Sequence, residues 1–116
     1  MNYEEPKQIS KEAVQRALVS SSQIASDALI RAALTIDDWE WVESVLVGAL
    51  SDQRYEVRRA ALVALGHVVR LHHRLHLDKV VPLVQRCALD SNLAGTAEDT
   101  LEDIAMFTKG DANLES

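Results

Sequence analysis

The stretch LSDQRYEVRRAALVALG, Leu50 to Gly66, constrains the fold of this chain more than any other. A polar turn at Ser51 to Arg54 precedes Val57, Ala61, Ala64, Leu65 and Val68, whose spacings of three and four put one apolar stripe on a helix running to about Arg70. Ala60, Ala61 and Ala64 are small, so a neighbouring helix can approach toward the low end of the usual ~8–10 Å. The core must follow suit, because Tyr3, Trp39, Trp41, Tyr55 and Phe107 are the only aromatic residues and Leu, Val, Ile and Ala supply the rest. Strands are poorly supported by such a composition.

Five further helices are expected around this one. Ser10 can cap the first, with Ile9 and Val14 as a hydrophobic staple and Ala13, Ala17 and Leu18 continuing its stripe. The last hydroxyl of the Ser20 to Ser22 run can cap the second, which carries Ile24, Ala28, Leu29, Ala32 and Ala33 at helical spacing. Asp37 starts the third, because Glu40 three residues on completes a capping box and Ile36 with Trp41 forms a staple. Its apolar face is Trp41, Val42, Val45, Leu46, Ala49 and Leu50. After LHHRLHLD, Leu71 to Asp78, the fifth helix buries Val80, Val81, Val84, Cys87, Ala88 and Leu89, with Pro82 in its first turn, where a missing amide costs little. The sixth turns Ala97, Leu101, Ile104 and Ala105 inward and ends near Lys109 and Gly110. Residues 1–8 and 110–116 read as loose tails of a single domain, 1–116.

The turns repeat. Ala49-Leu50-Ser51-Asp52 corresponds to Ala88-Leu89-Asp90-Ser91, 39 residues later, and Leu65 to Leu101, 36 later. An aspartate turn followed by Val57-Arg58, Ala60-Ala61 and Ala64-Leu65-Gly66 resembles the inner helix of a HEAT repeat. The resemblance covers residues 37–107 and is specific in one of the two repeats, since Ala94-Gly95 stands where the family places Val-Arg. It implies an all-α fold, a short right-handed α-solenoid of about three helix pairs, with Arg58 bonding between repeats and the first pair acting as a cap. Such a stack works by presenting a surface.

Candidate chemistry is thin. His67, His72, His73 and His76 lie within ten residues, and His72 with His76 would share a helix face at i and i+4, a spacing that can serve zinc. No carboxylate lies between Glu56 and Asp78 to complete the ligands, so a solvated interhelical loop is the better reading and no metal is expected. HEAT-like metal oxygenases carry His-Glu pairs, which are missing here. Cys87, beside Leu83 and Val84, reads as a small core residue. No phosphate loop, Ser-His-Asp set or Cys-x-x-Cys appears, so neither catalysis nor a cofactor is expected.

Charge says more. Residues 1–53 carry 4 basic and 9 acidic groups, residues 54–86 carry 7 and 2, and residues 87–116 carry 1 and 7. The basic middle, Arg54, Arg58, Arg59, Arg70, Arg74, Lys79 and Arg86, could track phosphates, but its acidic flanks argue against direct nucleic-acid binding. On the sixth helix Glu98, Asp99, Glu102 and Asp103 form two like-charge i, i+4 pairs, each costing a few tenths of a kcal/mol, roughly, that a basic partner would relieve. A solubilising acidic face on a terminal repeat explains the same row. No stretch reaches the ~20 apolar residues of a membrane span and no hydrophobic leader is visible, so a cytoplasmic chain is expected.

In length, acidity and lack of catalytic motifs the chain resembles the short helical-repeat immunity proteins of bacterial contact-dependent inhibition and other polymorphic toxin systems. That resemblance implies a non-enzymatic protein, monomeric when free, that binds and blocks a cognate toxin, a basic nuclease domain above all. Glu98, Asp99, Glu102 and Asp103 would pair with toxin lysines or arginines, and Trp39 or Tyr55 would anchor the contact. Trp41 reads as core. A scaffold joining two endogenous proteins is the competing class.

Overall fold

The computed structural model describes residues 5–114, with side chains through residue 108. Six α-helices and no strand occur among them: α1 (Lys11–Leu18), α2 (Ser22–Thr35), α3 (Trp39–Ala49), α4 (Tyr55–His72), α5 (Leu77–Cys87) and α6 (Ala94–Leu114). The part of the expected tails at 1–4 and 115–116 lies outside the described residues. Residues 5–10 are non-helical, yet Arg31 Nε and Nη2 donate to the carbonyls of Lys7 and Gln8 at 3.1 and 3.0 Å. α6 continues past Gly110.

α4 packs against α2 on one side and α6 on the other, while α1, α3 and α5 each pack against the helix that follows. α4 is therefore the centre of the protein. Val57, Ala60, Ala61, Leu62, Ala64, Leu65, Val68 and Val69 are all buried on it, leaving few positions for solvent. α2 brings Ala25, Leu29 and Ala33 into the same core as Ala60, Ala61 and Ala64 of α4. At Gly66 the approach of α6 explains the missing side chain: a Cβ there would lie 2.9 Å from Asp103 Oδ2.

Arginines tie the turns together. Arg54 donates to the carbonyls of Leu18 and Ser20 at 2.8 and 2.7 Å, satisfying the C-terminal end of α1, and is held by Asp52 at 2.9 Å. Arg54 keeps the Asp52 carboxyl below its usual range, chiefly through that hydrogen bond. Arg58 donates to the carbonyls of Asp52 and Gln53 and stands 3.9 Å from Asp90 of the next turn. Two members of the basic stretch are thus absorbed into the fold.

Several local expectations need correction. Ser10 does cap α1, but α2 is capped by Ser21, not Ser22. α3 is capped by Asp38, one residue beyond Asp37, because Asp38 both accepts from Trp41 N at 3.2 Å and pairs with Lys11 at 2.7 Å. Glu40 then falls at the second helical position and the capping box does not form. Pro82 lies in the interior of α5, which already starts at Leu77, so the Asp78 carbonyl lacks its helical donor. On α2 Ile24 faces out and Ala25 in; on α6 Ala105 is exposed, while Thr100 and Thr108 are buried. Both threonines satisfy their hydroxyls on backbone carbonyls, Thr100 with Leu62 at 2.8 Å and Thr108 with Ile104 at 2.6 Å. Leu50 is buried in its turn, whereas its counterpart Leu89 is 86% exposed, so the two turns correspond in position and not in environment.

Candidate protein-binding surface

Glu98, Asp99 and Glu102 are exposed on α6 and make no ion pair among the described residues. Asp103 differs from them. It is half-buried against Gly66 and lies 3.4 Å from Arg70 of α4, so part of the repulsion read along α6 is relieved from within. Arg70 also lies 2.7 Å from His67 Nδ1. His67 is held below its ordinary imidazole range by burial first and then by that arginine.

The two aromatic candidates are separated. Tyr55 begins α4, is exposed, and its hydroxyl donates to the Asn92 carbonyl at 3.1 Å just before α6. Trp39 begins α3 at the other end of α4, its half-buried ring 5.3 Å from that of His76. The 18 residues of α4 put about 27 Å between those ends. Tyr55 belongs with the α6 carboxylates and Trp39 does not. Trp41 is half-buried against the core with Lys11 Nζ 5.3 Å from its ring centroid.

The histidines are dispersed by the turn that ends α4. His73 adopts the left-handed conformation, φ 58°, so His72 and His76 never share a helix face. His73 Nδ1 bonds the Phe107 carbonyl at 3.1 Å. His76 meets a residue that the sequence reading passed over: Glu43, 1% exposed, accepts from His76 N–H at 2.7 Å and from Nδ1 at 2.8 Å. The carboxylate holds His76 above the ordinary imidazole range, by its hydrogen bond first and its charge second. It also serves as the missing N-cap of α5, an anion at the positive end of a helix that has no capping side chain of its own. The available signal was Glu43 sitting among Val42, Leu46 and Leu50 on the apolar stripe. Glu40 Oε2 approaches His76 Nε2 at 3.5 Å, yet no group of three or more His, Cys, Asp or Glu side chains among the described residues is placed to hold a metal. Cys87 is half-buried, and burial pushes its thiol up, away from nucleophilic use.

No helix among the described residues is long and apolar enough to cross a membrane. No protein-family model matches the chain, nor does any curated protein. A solved structure does: the chain is 27% identical to, and superposes with a TM-score of 0.81 on, a chain in the crystal structure of a CDI complex from Cupriavidus taiwanensis LMG 19424. The match spans 95% of this chain and 98% of the other. The helical arrangement built from α4 outward is therefore that of a chain found in a CDI complex.

Proposed function

We propose that this chain is a non-enzymatic immunity protein of a contact-dependent inhibition system, which binds a cognate toxin in the cytoplasm and blocks it. The observation that carries the reading is the near end-to-end similarity to a chain of a CDI complex, with both chains covered almost completely. The exposed carboxylates Glu98, Asp99 and Glu102 favour a basic target, and a nuclease is basic where it grips phosphates. Inhibition on this reading is steric and electrostatic, and the stack of HEAT-like helix pairs serves as its rigid platform.

The test starts from the gene immediately upstream of this chain's own. Its product's toxin domain, expressed in a susceptible cell, is expected to arrest growth, and co-expression of this chain is expected to restore it with formation of a one-to-one complex. Reversing Glu98 and Glu102 to lysine is expected to weaken that complex by several kcal/mol, roughly, if both charges are desolvated in it. Continued arrest with no complex would refute immunity; a partner captured without loss of its activity would favour the scaffold.

A further inference from the structure

The two furrows flanking α4 are finished differently. Between α4 and α6 the furrow is closed, by the Thr100 hydroxyl on the Leu62 carbonyl at 2.8 Å, by Asp103 over Gly66, and by Arg70 3.4 Å from Asp103. Between α2 and α4 the Ser26 hydroxyl donates to the Glu56 carbonyl at 3.2 Å, yet a groove of about 760 Å³ stays open along the two helices. Ile30 and Val63 are half-buried in its walls, Tyr55 stands at its margin, and Asp27, Glu56 and Arg59 are exposed along it.

The charges there are unfinished. Glu56 has no cation within 4 Å, and Arg59 no carboxylate, among the described residues. Asp27 is paired with Arg31 at 3.6 Å through Nη1, the nitrogen that the Lys7 and Gln8 carbonyls leave free. Apolar walls flanked by Glu56 and Arg59, each without a counter-ion among the described residues, suit a segment that carries an apolar side chain between a basic and an acidic one. Glu98, Asp99 and Glu102 lie on α6, the other main neighbour of α4.

Resting on the immunity reading, we propose that the α2–α4 groove receives a polypeptide segment of the toxin, with an apolar side chain on Ile30 and Val63 beside Tyr55, a lysine or arginine on Glu56 and an aspartate or glutamate on Arg59. The groove is then the anchor of the interface and the α6 carboxylates its flank. The test titrates the toxin domain encoded beside this chain against wild type, Val63→Arg, Glu56→Lys and, as a control outside the groove, Gln85→Arg. Val63→Arg is expected to raise Kd about a hundredfold and Glu56→Lys about tenfold, with Gln85→Arg unchanged and all three retaining wild-type helical circular dichroism. Glu56 is exposed, so Glu56→Lys reports on binding even where Val63→Arg disturbs folding. Binding by wild type with unchanged Kd for both groove variants overturns the groove and leaves immunity standing. No binding by wild type overturns both. A wild-type chain that sediments alone as a dimer, and becomes a monomer on Val63→Arg, assigns the groove to a second copy and also overturns the proposal.

Discussion

Replacing Glu43 is the sharpest probe of how this stack is held together. Glu43→Ala removes a carboxylate that is 1% exposed and accepts two hydrogen bonds, and it strands the His76 N–H at the start of α5. A hydrogen bond to a charged group is worth about 1.5–3 kcal/mol, and that range applies here, because the His76 ring is exposed and regains water when the carboxylate is removed. With an unfolding entropy of about 2.1 cal/mol/K per residue, a chain of 116 residues loses about 4 °C of Tm per kcal/mol, a fall of about 6–12 °C. Glu43→Gln keeps the volume and one acceptor and is expected to cost less. The pH dependence has a definite sign. Glu43 raises His76 in the folded state, so the stabilisation is complete below the ordinary imidazole value and is lost as pH rises through the raised one. Urea unfolding followed by circular dichroism should therefore show a wider gap between wild type and Glu43→Gln at about pH 6 than at about pH 9. A Glu43→Ala loss below about 1 kcal/mol would refute the assignment of Glu43 as the cap of α5, and a Glu43→Gln gap equal at both pH values would refute its pairing with the His76 imidazole.

Pro82→Ala restores an amide to the interior of α5, where it can reach the Asp78 carbonyl, and is expected to stabilise the protein by about 1–3 kcal/mol in chemical denaturation. A loss of stability would mean that the proline ring itself is a packing element. Thr100→Val preserves shape but removes the hydroxyl bonded to the Leu62 and Thr96 carbonyls, and should lower stability by about 1 kcal/mol, about 4 °C in a thermal melt. An unchanged melt would show that this bond adds nothing net to the contact between α4 and α6.

Six helices and an all-α fold were legible in the sequence because each depends on neighbours along the chain: apolar residues three and four apart, small residues on α4, serine and aspartate at helix starts. The inward residues assigned to α4 are all buried, since α2, α3 and α6 all pack on that helix and its buried stripe is wide. Peripheral helices tolerate a rotation of one position, and there the reading slipped, taking Ile24 for Ala25 on α2, while on α6 it counted the exposed Ala105 as inward and passed over the buried Thr100. The candidate surface divided in the same way. Glu98, Asp99 and Glu102 are exposed as expected, while Asp103 and Arg54 prove to be joints of the fold.

Periodicity along one helix records which side chains share a face and nothing about what stands opposite. The sequence alone therefore determined the number, kind and order of helices and the excess of negative charge at the end of the chain. Tertiary structure decided that Glu43 caps a helix 33 residues away, that Arg70 neutralises Asp103, and that one furrow beside α4 closes while the other stays open. Each of those outcomes depends on side chains from different helices meeting at a few ångströms, a distance set by packing and not written in the spacing of any single segment.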